Sequence, residues 1–143
     1  MIKIGNYKQF FFDRKTVIGA VDRATRKVFS RFGAFVQRSA RSSIRKRKAI
    51  SKPGTPPSSH VGTLKRLIFF GYDPSKKSVV IGPTPLNGKT EAPLLLEYGG
   101  RIVRRNRSGR KVTAKYKARP FMGPAFEKEK PHLPAMWAGS IKP

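Results

Sequence analysis

The two histidines, His60 and His132, are the first candidates for acid–base or metal chemistry. His60 follows Pro56-Pro57-Ser58-Ser59, and His132 lies between Pro131 and Pro134. Neither belongs to an HxxxH pattern, and both sit in Pro- and Ser-rich surroundings, so no metal site is expected. Glu91 and Glu97 are too far apart to share one helix face cleanly. Glu127 and Glu129, two residues apart, point to different sides of a helix. Paired-carboxylate catalysis is therefore not expected. Gly54, Gly82 and Gly99-Gly100 fit neither GxGxxG nor GxxxxGK[ST], and no serine sits in a GxSxG elbow. The chain contains no cysteine, which excludes disulfides and thiolate ligands. The sequence predicts a protein that is not an enzyme and needs no cofactor.

The remaining candidates are cations. Lys and Arg number 32 against 7 Asp and Glu, a formal net charge of +25 at pH 7. Solubility needs far less than this, and such a surplus repels itself unless a polyanion lies nearby in the working state. Nine basic residues and no acid occur from Arg101 to Arg119. Arg101, Arg104, Arg105, Arg107, Arg110, Lys111 and Lys115 are candidates for contact with nucleic acid or an acidic partner. Arg41, Arg45, Lys46, Arg47 and Lys48 form a second such cluster. The competing readings are a solvated face for the first and helix-dipole stabilisation for the second. The dipole accounts for one or two charges of that cluster, not five. One interleaved aromatic, Tyr116, does not make a stacking platform. Pro53, Pro56, Pro57, Phe121 and Trp137 are candidates for subunit or partner contact.

These residues must be carried by one small domain, since 143 residues leave little room for two. Residues 1–12 read as an N-terminal arm or edge strand and 13–143 as one α+β domain. Asp13 is placed to cap a helix. Val17, Val21, Ala24, Val28, Phe32, Phe35 and Val36 recur at helical spacing and predict a long helix over most of 14–47. Gly19 and Gly33 weaken that helix and allow close packing of a neighbour. Ser51 to His60 is too rich in proline for a helix or central strand and reads as an exposed, extended loop.

Leu67–Tyr72 and Ser78–Gly82 flank a turn and predict a β-hairpin. Pro83–Thr90 reads as a loop, and Glu91–Tyr98 as a short helix ended by Gly99-Gly100. A second hairpin is expected over Arg101–Arg104 and Lys111–Tyr116, with its tip at Asn106–Gly109. Pro124 suits the first turn of a last helix, which Pro131 and Pro134 divide. The fold class is thus α+β, with a long helix packed on an antiparallel sheet of two hairpins. Val28, Phe32, Phe35, Leu67, Phe69, Val80, Leu95 and Phe121 are the expected core. No apolar run approaches the roughly 18 residues of a membrane span. No signal-peptide pattern opens the chain, so the expectation is a soluble protein made in a cytoplasm.

Five segments in order carry a resemblance. They are the long basic helix, Pro53-Gly54-Thr55-Pro56-Pro57, Val61–Ile68, Leu94-Leu95-Leu96-Glu97-Tyr98-Gly99-Gly100, and Ala118-Arg119-Pro120-Phe121-Met122-Gly123-Pro124-Ala125-Phe126-Glu127. Together they resemble the tail-completion, or head–tail joining, family of tailed bacteriophages over roughly residues 15 to 130. That family's pattern is a helix, a "tGxLrrsi" segment, a hairpin, an "EyG" turn and "aRPFlrPAle". The stretch Arg101–Lys117 is more basic than the pattern requires. The resemblance implies a virion protein made in the host cytoplasm, forming a neck ring around the genome channel. A hexamer is favoured, with a dodecamer as the alternative. Portal, adaptor or tail-tube proteins are the implied partners, with sequence-independent contact to genomic DNA, no membrane, no cofactor and no catalysis. The rival reading is a ribosomal or nucleoid-type nucleic-acid-binding protein, which matches the charge equally well.

Overall fold

Helix α1 (Arg14–Ser43) buries Ala24, Val28, Phe32, Gly33, Val36 and Ala40 along one stripe. Their spacing of mostly three and four residues keeps them on one side of the cylinder. The computed structural model describes residues 14–84 and 91–141. The expected N-terminal arm, the Asp13 cap and most of the Pro83–Thr90 loop lie outside the described residues.

The helix ends earlier than the basic cluster suggests. The hydroxyls of Ser42 and Ser43 donate to the carbonyls of Ser39 and Ala40, competing with continuation of the helix. Ile44, 1% exposed, then turns into the core. Arg45–Lys46 (β1) leave the helix and pair in parallel with Ser58–Ser59 (β2). A single helical turn, α2 (Thr63–Arg66), follows.

The first hairpin joins β3 (Ile68–Asp73) to β4 (Ser78–Pro83) in antiparallel register. Phe70 lies opposite Ile81 and Tyr72 opposite Val79, so these residues and Ile68 share one face. That face packs on α1. A Cβ at Gly33 would lie 2.8 Å from both Phe70 and Val79 side chains, so glycine there permits the close approach. Gly19 has no such role, since it meets only the end of the Arg23 side chain. The hairpin's turn is held by Asp73 Oδ1, which accepts from the backbone N–H of Ser75 and Lys76. Lys77 pairs with Asp22 of α1 at 2.7 Å. The hydrogen bond to Asp22, with its negative charge, holds the Lys77 ammonium above the usual lysine range.

Helix α3 (Ala92–Tyr98) ends at Gly99, with φ 73°. The second hairpin joins β5 (Gly100–Arg105) to β6 (Lys111–Tyr116). Helix α4 (Met122–Glu129) passes through a 3-10 turn at Lys130–His132 into α5 (Leu133–Trp137). Pro131 and Pro134 lack the N–H groups a continuous helix would use.

The architecture is α+β with a long first helix and two antiparallel hairpins, as the sequence predicts. Each hairpin forms its own two-stranded sheet. Helix α1 packs extensively on β3, β4, α4 and α5, whereas β5 and β6 pack chiefly on each other. The core cluster is Phe32, Val36, Ala40, Ile44, Leu64, Ile68, Phe121 and Ala125.

Several expected core residues lie elsewhere. Phe69 and Val80 are 49% and 65% exposed, because Ile68 and Phe70 take the inner face of the same strand. Phe35 is half-buried between the guanidinium groups of Arg31 and Arg38, each 5.7 Å from its ring. Leu67 and Leu95 are also only half-buried. The expected exposed loop is partly an inner segment: Ser51 and Pro57 are buried, and Gly54 N donates to Ala118 O.

Glu97 ties the sequence-distant halves of the C-terminal region together. Its Oε2 accepts from the N–H groups of Phe121 and Met122, and its Oε1 from Gly123. These are backbone donors at the start of α4 that the helix itself leaves unpaired. Glu97→Gln replaces one acceptor oxygen by a donor facing the same N–H groups. A loss of about 1–3 kcal/mol is expected, read as a lower denaturant midpoint at constant slope. An unchanged midpoint would show that water replaces the lost acceptor without cost.

Candidate nucleic-acid interface

The antiparallel register divides the β5–β6 ribbon into two chemically different faces. Arg101 is opposite Lys115, Val103 opposite Thr113, and Arg105 opposite Lys111. All six are exposed. This face therefore carries two cross-strand pairs of like charge about 13 Å apart along the strands. Directly opposed like charges destabilise a sheet. The ion pairs found among the described residues, Lys77–Asp22 and Lys130–Glu127, lie outside the ribbon. Nothing in the ribbon itself offsets the repulsion.

The other face carries Ile102, Ala114 and Tyr116, all half-buried, with Val112 and Arg104. The Arg104 guanidinium lies 5.8 Å from the Tyr116 ring centre, and its Nη2 donates to the Tyr116 hydroxyl. Arg104 is thereby held on the face away from Arg101 and Arg105. At the tip, Asn106 Oδ1 accepts from Arg110 N (2.9 Å) and from the Ser108 hydroxyl. Gly109 supplies the left-handed residue of the turn, with φ 76°. Arg107 and Arg110 are exposed at this tip.

The ribbon leaves the body through a tight root. A Cβ at Gly99 would meet Ala118 N and Tyr116 O, each at 3.0 Å. Arg119 Nε donates to Ser51 O at 3.0 Å, and Arg119 N to Leu96 O. The root is thus fastened to the loop that follows β1.

That loop brings the two basic clusters of the sequence together. Arg45, Arg47 and Lys52 line an open cleft of about 570 Å³ on one side of Ile50. A second cleft of about 470 Å³ lies at the ribbon root, where Lys115, Lys117 and Arg119 contribute to its wall. Ile50 lines both. The cations beyond α1 and those of the ribbon therefore adjoin across one loop. Lys46 and Lys48 are exposed beside the first cleft's arginines in sequence.

Arg41 does not belong to this surface. Its Nη2 donates to Ile68 O at 2.7 Å and reaches Arg66 O at 3.3 Å. It braces α1 against the start of β3. Among the candidates for partner contact, Phe121 is 1% exposed and Pro57 is buried. Both are consumed by the chain's own packing. Pro53 is exposed and Pro56 half-buried. Trp137 packs edge-on against Phe29, with ring centres 5.8 Å apart.

Sequence reasoning missed Lys52, Lys117 and Arg119 as members of the basic surface. Their positive charge was visible, but the fold that gathers them was not. Among the described residues no cluster of three or more His, Asp or Glu could hold a metal ion. No described helix is long and apolar enough to cross a membrane. No family model, curated protein or solved structure matches this chain.

Proposed function

We propose that the chain is a non-catalytic structural subunit of a ring in the neck of a tailed bacteriophage. In this reading it completes the tail or joins it to the DNA-filled head, and surrounds the DNA channel. The observation that carries the nucleic-acid half of the reading is the ribbon's cationic face. Arg101, Lys115, Arg105 and Lys111 oppose one another in pairs without an internal counter-charge. A phosphate backbone supplies that counter-charge without sequence reading. An isolated two-stranded hairpin is at best marginally stable in water, so the ribbon gains most when a partner lies against it.

The ring half of the reading draws on the ordered segments that resemble head–tail joining proteins. It is supported by apolar side chains left on the body's surface. Val17, Ile18 and Val21 on α1 and Phe69 and Val80 on the first hairpin are all at least 38% exposed. A ring uses two unlike surfaces on each subunit, and closure buries both.

Native mass spectrometry and negative-stain imaging of the purified chain test the assembly. A closed hexamer is expected, or a dodecamer, that joins a portal, adaptor or tail-tube protein. A chain that stays monomeric with those partners, yet binds ribosomal RNA in a salt-sensitive way, would support the ribosomal or nucleoid-type reading instead.

A further inference from the structure

The cleft at the ribbon root differs in chemistry from the ribbon's cationic face. Its apolar surface comes mainly from Ile50 and Leu96, and Tyr116 adds an aromatic wall. Lys115, Lys117 and Arg119 supply cations at the same cleft, and no carboxylate lines it. Its volume of about 470 Å³ falls within the usual range for small-molecule-sized sites. Ile50 is 79% exposed, so its side chain is accessible to a ligand in the cleft.

Phosphate alone has no use for the apolar part, and an apolar ligand has no use for the cations. A nucleotide uses both, its planar base against apolar and aromatic side chains and its phosphate against Lys or Arg. A base inside a duplex cannot enter such a site, because its faces are covered by its neighbours. We propose that this cleft holds an unpaired nucleotide of single-stranded nucleic acid. The proposal rests on the reading that the ribbon meets nucleic acid, and adds a strand-state preference that the cationic face alone does not have.

The arrangement of the root favours a fixed site. Arg119 is anchored by its bond to Ser51 O and a second from Nη1 to Lys117 O at 3.2 Å. Gly54 N bonds Ala118 O, so the loop carrying Ile50 and Pro57 cannot drift from the strand carrying Tyr116 and Lys117. Both walls are therefore positioned before a ligand arrives, which lowers the ordering cost of binding.

The test compares a labelled oligothymidylate with an oligomer of the same length built from abasic sites. The two have the same phosphates and differ only in bases. Fluorescence anisotropy of the full chain should show the thymidylate bound at least about tenfold more tightly. Ile50→Ser, at a mostly exposed position, and Tyr116→Ser, which also frees Arg104, should each cut that preference several-fold, with the abasic oligomer measuring phosphate binding separately.

Equal affinity for the two oligomers, with strong salt dependence for both, would overturn the cleft proposal and leave the phosphate-binding ribbon standing. A preference that survives both substitutions would also overturn it, because the base would then sit elsewhere. Failure of the chain to bind either oligomer would remove the nucleic-acid reading together with the proposal.

Discussion

Replacing Arg101, Arg105, Lys111 and Lys115 together with threonine is expected to reduce the salt dependence of DNA binding by about one unit per lost phosphate contact. These four residues form the cationic face of the ribbon, and all are exposed. With about four contacts removed, the variant's affinity should fall roughly a hundredfold less than the wild type's between 50 and 200 mM salt. At low salt the variant should bind more weakly, and by a similar factor for unrelated sequences. Threonine keeps strand propensity and removes two repulsive cross-strand pairs, so the ribbon should persist. Exposed charges contribute little to folding stability, so the body should unfold at nearly the same denaturant concentration.

Arg104→Ser provides the geometric control. Arg104 lies on the opposite face, bonded to Tyr116, and its loss should leave the salt slope almost unchanged. If Arg104→Ser and the fourfold variant lowered the slope in proportion to charge removed, the division into faces would be irrelevant to binding. An unchanged slope in the fourfold variant would assign the ribbon's charge to an acidic protein neighbour.

Phe32→Ala is expected to lower stability by about 3–5 kcal/mol. Phe32 is 3% exposed at the centre of α1 and belongs to the main core cluster. Its ring meets Phe126 edge-on, with centres 5.7 Å apart. Truncation removes buried apolar area and the aromatic contact, and leaves a cavity that a rigid helix–helix contact cannot collapse. Trp137 is the chain's single tryptophan and packs on Phe29 of the same helix. Its fluorescence therefore reports unfolding of this part of the core during denaturant titration. A loss below about 1 kcal/mol would mean that the α1–α4 contact is not the one that holds the body together. The expected loss of about 3–5 kcal/mol is a large share of a small domain's total stability.

The sequence by itself determined the long helix and both hairpins, though not the β1–β2 pairing or α2. Apolar residues at three- and four-residue spacing from Val17 to Val36 can face one side only as a helix, and α1 forms there. Turn-forming residues at Asp73–Lys77 and Asn106–Gly109 punctuate β-prone runs, and both hairpins form around them. Gly99-Gly100 ends α3 because the chain must adopt positive φ there. The charge surplus needs no structure at all to be read.

Tertiary structure decided which side each residue faces. In Leu67-Ile68-Phe69-Phe70 every side chain is apolar, so alternation cannot tell the inner face from the outer. A shift of one residue exchanges them. Packing of Phe70 against Gly33 turned the face of Ile68 and Phe70 toward α1, with Ile68 buried and Phe70 still 36% exposed, and left Phe69 and Val80 outside. The same period of two sorted the ribbon's cations, placing Arg101 and Arg105 with Lys111 and Lys115, and Arg104 with Tyr116. Arg41 became a brace because the carbonyls of Arg66 and Ile68 lie beside it only after the chain has folded back. The meeting of the Arg45–Arg47 region with the ribbon root depends on bonds between residues more than sixty positions apart, such as Gly54 to Ala118. Local propensity has no range over that distance, and only the packed core could bring those segments together.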